Sequence, residues 1–312
     1  IIKLTRKEKK NVYFLQGHNE RSIDDQKSET SLYGFRQLLE KNSFNIKKFN
    51  LITEQKVPDD AHLVIVAGPT QEFQTLEVKA LEHYLYSGGS LLLMLDEKEA
   101  LGLSDLLKKL GLILEKHYVY NIFSSPMGKV LNAQAATVAV QYSTSSEITK
   151  VFTTNQMATF RNPHSLVINN ESSLIKSEVL VRTPESSAAL AELDSKDYLG
   201  NERSFNLGIE VKGRLDQDAK DFTTVTYSDV DFVSNILLYQ NINRDLALNT
   251  VSSLTHETDL ISISAKDPMV SKLLVSPPEF NQFFKFTVVG LFFPMPFVFA
   301  IISAVLWYKR RH

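Results

Sequence analysis

The sequence predicts an α/β protein built on a doubly wound, mostly parallel sheet, with a β-rich extension and a C-terminal transmembrane helix. Three observations carry this expectation. Residues 11–115 alternate short, continuously apolar strands with helical patterns, as a parallel sheet covered on both faces requires. Residues 120–227 change to short strand candidates among Ser-, Thr- and Asn-rich stretches. Residues 286–308 run without a single charge.

The elements follow in order. Val12–Leu15 is a buried strand that stops at Gly17. Ser31–Lys41 sets Leu32, Phe35, Leu38 and Leu39 on one helical face, and Phe44–Leu51 alternates as a strand. His62–Ala67 is a strand stopped by Gly68-Pro69. Thr75–Ser87 is a helix ended by Gly88-Gly89, and Ser90–Leu95 is a strand closed by Asp96. Ser104–Leu110 is a short helix ended by Gly111. This order predicts a flavodoxin-like or Rossmann-like core.

Thr137–Tyr142, Met157–Phe160, Leu166–Ile168, Glu178–Arg182, Phe205–Val211 and Phe222–Tyr227 are the later strand candidates. Asp231–Tyr239 and Arg244–Leu254 read as helices, and Leu260–Ser264 as a last strand.

The run from Phe286 to Tyr308 exceeds the ~20 apolar residues needed to cross a bilayer core as helix. Lys309, Arg310 and Arg311 follow it, and such cations favour the cytoplasmic side. The expected organisation is therefore a basic linker over 1–10, an α/β core over 11–118 and a β-rich and helical continuation over 119–275. A linker over 276–285, a transmembrane helix over 286–308 and a cytoplasmic tail over 309–312 complete it. The bulk of the chain would lie outside the cytoplasm at a bacterial inner membrane. The start, IIKLTRKEKK, shows neither an initiator Met nor an apolar export signal, so an upstream segment is expected.

Charge follows the same division. Lys and Arg number 34 against 36 Asp and Glu, giving −2 overall. Residues 1–10 alone carry five basic groups and one acid, and the tail adds three cations, so the remainder is acidic. No basic excess marks a nucleic-acid binder.

Several chemistries are excluded by residue type. Without cysteine there is no thiol nucleophile or thiolate metal site. No GxSxG, HExxH, GxGxxG or GxxxxGK[ST] occurs, and no two histidines stand four apart. No cofactor is expected. Gly17, His18 and Glu20 follow the first strand, where open α/β sheets bind ligands, and a His and Glu there could do acid/base work or contact a partner. Gly68 and Pro69 follow the third strand, His62–Ala67. Asp229 and Asp231 resemble the start of a calcium loop but lack its glycine and closing glutamate, so helix capping is the expected role.

VYFLQGHNER, HLVIVAGPTQEFQTLEVKALEHYLYSGGSLLLMLD, SDVDFVSN and NINRDLALNTVSSLTHETDLISI, in that order, resemble the gliding-motility-type auxiliary component of ABC transport systems, the GldG-like family. Its Gly-His-Gly-Glu loop is matched at Gly17, His18 and Glu20, with Asn19 in place of the second glycine. Its second block is matched by Gly68, Pro69, Glu77, Tyr84, Leu85, Gly88, Gly89 and Asp96, and its D-x-D-F element by Asp229, Asp231 and Phe232, with Asn235 following. A tryptophan common near the end is absent from the stretch around Asn249–Leu254. The resemblance implies a fold similar to class I glutamine amidotransferases, without their cysteine chemistry. It also implies hetero-oligomeric association with a multi-span permease, a cytoplasmic ABC ATPase and membrane lipid.

Three functions are therefore open. The first is a non-catalytic auxiliary subunit that binds substrate or partner proteins and docks on the permease. The second is a membrane-anchored saccharide- or peptide-binding module. The third is an envelope hydrolase using His18 and Glu20.

Overall fold

β1 (Asn11–Leu15), β3 (Leu63–Ala67) and β4 (Ser90–Met94) are buried along nearly their whole length, which places them inside a sheet. The computed structural model describes residues 9–96, 101–125, 128–131, 136–170, 172–193, 198–257 and 295–311. They fall into two units, Ile1–Ile263 and Ser264–His312.

The first unit holds an eight-stranded sheet. β2 (Asn45–Phe49), β1, β3, β4 and β14 (Phe222–Tyr227) run parallel in that order. β13 (Asn206–Gly213), β11 (Ile175–Arg182) and β8 (Gln141–Tyr142) then continue it antiparallel. The expected mostly parallel sheet is thus corrected to a mixed one. The reason lies in β14, which enters beside β4 and brings β13 with it through a short connection that permits only antiparallel pairing.

Alternation along β1 shows how the sheet is covered. Val12 and Phe14 join one apolar cluster with Phe35 and Leu38 of α1 (Tyr33–Lys41) and Leu246 and Val251 of α5 (Asn243–Leu254). Tyr13 and Leu15 join the opposite cluster. There they meet Leu51 of α2 (Leu51–Glu54), Leu81 and Leu85 of α3 (Thr75–Tyr86) and Leu106 of α4 (Ser104–Lys109). Helices therefore cover both faces.

A smaller sheet has the order β10 (His164–Ile168), β5 (Leu112–Ser125), β12 (Ser187–Leu190), with β6 (Gly128–Leu131) also paired to β5. β7 (Thr137–Ala139) pairs with β9 (Ala158–Phe160). The sequence reading contains no strand at β5, β6 or β12. Where it places a helix from Asp231, the chain makes only a 3-10 turn, Asp231–Val233. The second strand stops at Phe49 because Asn50 accepts the Ile52 N–H at 2.8 Å and starts α2.

The expected transmembrane helix is also corrected: no helix among the described residues is long and apolar enough to cross a membrane. The described C-terminal helix, α6 (Met295–Arg311), has 17 residues, of which Lys309, Arg310 and Arg311 are the last three. Its described length falls short of the ~20 apolar residues that a ~30 Å core requires. The orientation inferred from such a span loses its support with it. Phe286–Pro294, the linker 276–285 and the strand Leu260–Ser264 lie outside the described residues.

Candidate functional site

Because β1, β3, β4 and β14 are parallel, their carboxyl ends share one edge, and the loops that leave them meet there. Gly17, His18 and Glu20 follow β1, Gly68 and Pro69 follow β3, Asp96 lies just beyond β4, and Asp229 and Asp231 follow β14. The loops are stitched by backbone. His18 O accepts from Thr70 N at 2.9 Å and Gln71 N at 3.1 Å, Arg21 N donates to Ala67 O at 2.9 Å, and Gly68 N donates to Met94 O at 2.8 Å.

Two glycines have specific steric reasons. Gly68 has φ +60°, and a Cβ there would lie 2.8 Å from Val230 Cγ1. Gly17, at φ +131°, passes within 3.0 Å of the Asn50 side chain by the same measure. Asn19 also has a positive φ, 56°, which asparagine tolerates better than most residues. Pro69 is buried beside Gly68.

His18 is the centre of a closed arrangement. Its Nδ1 lies 3.3 Å from Glu20 Oε1 and its Nε2 lies 3.1 Å from Glu77 Oε2. Its ring stacks on Phe73 with centroids 3.8 Å apart. Glu20 Oε2 also accepts from His18 N at 2.8 Å, and Glu77 Oε2 from Gln74 N at 2.9 Å, so Glu77 caps α3 while holding the imidazole. The side chains of His18, Glu20 and Glu77 are only 3%, 2% and 5% exposed. Burial opposes a charged ring, but the hydrogen bonds and charges of Glu20 and Glu77 outweigh it and hold the His18 pKa above its ordinary value.

Arg21 builds a second, adjoining cluster. Its Nη2 lies 2.6 Å from Asp96 Oδ2 and 3.3 Å from Asp231 Oδ1. Asp229, fully buried, accepts from Asp231 N and Arg161 N, each at 3.0 Å. Burial, with Asp96 and Asp231 nearby, pushes the Asp229 pKa well above the usual carboxylate value. Burial and Asp96 also raise Asp231, against the pull of Arg21.

The structure thus gathers the sequence-derived residues at one edge and adds Arg21, Glu77 and Asp96. Glu77 and Asp96 stand in the block that resembles the family, yet nothing local shows that they face His18 and Arg21. A capping-box spacing, Gln74 to Glu77, is the one signal that fixes where the Glu77 carboxylate begins. Asp229 and Asp231 cap no long helix: Asp229 holds two backbone donors and Asp231 pairs with Arg21.

Chemically, the arrangement is a lock. Both imidazole nitrogens are engaged by carboxylates, and the ring is sealed against Phe73. Among the described residues no group of three or more His, Asp or Glu could hold a metal ion. Open space lies elsewhere: a cleft of about 570 Å³ between α4 and the start of β5, and one of about 660 Å³ between the α2–β3 connection and α3.

Comparison with known proteins gives the family. A family model described as an ABC-type uncharacterized transport system matches residues 9–259, and the chain belongs to that family. No curated protein matches the sequence. Among solved structures, the mmIFT52 N-terminal domain is similar at a TM-score of 0.56 and 14% identity, covering 78% of this chain and 97% of that one. This is a likeness of fold alone. ThuA-like proteins from Parabacteroides merdae (TM-score 0.49, 10% identity, 84% of this chain and 94% of that one) and Bacteroides uniformis (0.48, 12%, 80% and 93%) are more distant. Membership places the chain as an auxiliary component of an ABC-type transport system, associated with a membrane through that system, and points to a non-catalytic role.

Proposed function

We propose that this chain is a non-catalytic auxiliary subunit of an ABC-type transport complex. Its α/β domain binds partner proteins or the transported substrate and docks on the permease, while a separate subunit hydrolyses ATP. The observation that carries this reading is the closed His18 network, set beside the family match. A general acid or base must reach its substrate, and His18 has neither free nitrogen nor open face. The same loops present Asn19 and Thr70 to solvent, joined by a 2.7 Å hydrogen bond. A rigid exposed rim of that kind suits partner contact better than turnover.

The Gly17-His18-Asn19-Glu20 loop supports a narrower placement in the gliding-motility-type branch. The amidotransferase reaction is excluded here because the chain has no cysteine. Mild-detergent purification of the tagged chain from its native membranes tests the reading. A permease and an ATPase polypeptide should accompany it, and their absence would contradict it.

A further inference from the structure

Leu76, Lys79, Ala80, His83 and Ser87 recur at intervals of three and four along α3 and its end, so they share one helical face. α3 buries Val78, Leu81 and Leu85 against the sheet, whereas the Leu76 face lines the cleft of about 660 Å³. Residues 55–61 form the opposite wall. The inner lining is apolar: Val57 is buried, and Ala61, Ala80 and Tyr84 pack partly against the core. Leu76 is 76% exposed, more than any other large apolar side chain among the described residues.

Charge on the two walls is unbalanced. Each of their acids already has a basic partner: Asp59 pairs with Lys56 at 2.9 Å, Asp60 with Lys47 at 2.7 Å, Glu82 with Lys109 at 2.7 Å, and Glu77 faces His18 at 3.1 Å. The side chains of Lys79 and His83 line the cleft, are exposed, and have no hydrogen-bond or ion-pair partner among the described residues. His83 stands in the last turn, where the helix dipole favours a base. Lys79 stands in mid-helix and gains nothing from that end.

We propose that this cleft docks an apolar, acid-bearing segment of a partner subunit. The segment covers Leu76 and the apolar lining, and sets a carboxylate against the Lys79 ammonium and an N–H of the His83 ring. The two unmatched bases call for an acidic occupant. The open form of the cleft calls for a protein segment: most lining residues are exposed, whereas a small-molecule site buries most of its ligand. From Leu76 to Ser87 the face runs ~17 Å, about three helical turns, which a short helix laid along the groove would cover. The proposal rests on reading the chain as a subunit of a complex.

Because the chain lacks cysteine, Leu76→Cys introduces one thiol at an exposed position. Native membranes carrying this variant are treated with a thiol-directed photo-cross-linker before extraction, and the adduct is mapped by peptide mass spectrometry. Thr154→Cys, exposed between β8 and β9, is the control. The expected result is an adduct to an acid-bearing segment of another subunit from Leu76→Cys and not from the control. Lys79→Glu with His83→Glu should reduce it by roughly tenfold, as like charges would then face each other, and changing the mapped acid to lysine should restore it. An adduct that the charge reversal leaves unchanged overturns the proposal, as does an adduct to a second copy. So does a thiol without adduct that maleimide labels equally in the complex and the isolated chain, or one shielded even in the isolated chain. Absence of the adduct while permease and ATPase still co-purify removes the docking site alone. An adduct of the stated kind on a chain outside any transporter keeps the site and removes the transport reading.

Discussion

His18 Nε2 and Glu77 Oε2 lie 3.1 Å apart across 59 residues of sequence, joining the first strand's loop to the first turn of α3. Removing the imidazole leaves two buried carboxylates facing each other. His18→Ala should therefore cost about 3–5 kcal/mol, the range for breaking a buried charged pair from one side. Urea denaturation with a matched α3 surface variant, such as Lys79→Ala, checks this. A loss under about 1 kcal/mol would mean that the network contributes little.

The same network makes stability depend on pH in a definite direction. The folded pKa of His18 is raised above 6.5, so the folded state holds the proton more tightly than the unfolded one. Its contribution is complete below about pH 6.5 and is lost as pH rises through the folded value. Denaturation midpoints measured upward from pH 6 should fall more steeply for the wild type than for His18→Gln. Equal slopes would dismiss the linkage.

Asp229 offers a second test. Its two oxygens each take a backbone N–H, and an asparagine amide can accept only one of them. Asp229→Asn should destabilise by about 1–3 kcal/mol through the unsatisfied donor. Because its folded pKa is raised above 3.8, the wild type itself loses stability as pH climbs past that value. The cost of the substitution should thus be greatest near pH 4 and shrink towards neutrality, as thermal melts across that range would show.

Gly68→Ala should cost about 1–3 kcal/mol, combining a left-handed backbone with overpacking. The added methyl would sit 2.8 Å from Val230 Cγ1, where the loops after β3 and β14 cross. Adding Val230→Ala should recover part of the loss, and additivity of the two variants would show that they do not touch.

The parallel core and its strand-end loops are legible because their signals are local. Runs such as Leu63–Ala67 and Leu91–Met94 are apolar throughout, and Gly68 and Gly88 punctuate them. β5 is not legible by the same means: Glu115, Lys116 and His117 interrupt its apolar residues, and its pairing comes from β10 and β12, far along the chain. The position of β14 beside β4 is likewise a long-range choice. At the site, His18 and Glu20 are visible as a pair in one loop, whereas Glu77, Arg21 and Asp96 gain their roles only from contacts across 59 to 210 residues: His18 to Glu77, Arg21 to Asp96 and to Asp231. The C-terminal run misleads because an uncharged stretch does not by itself make a helix long enough to span: the described helix, Met295–Arg311, is 17 residues and ends in three cations.

The central claim is that the His18 imidazole is an element of the fold held by Glu20 and Glu77, and not a free acid or base. NMR titration of the His18 ring in the intact protein measures this directly. The account predicts an apparent pKa above 6.5 that drops in Glu77→Gln and again when Glu20→Gln is added. A ring that titrates at or below 6.5, unmoved by either substitution, would contradict it.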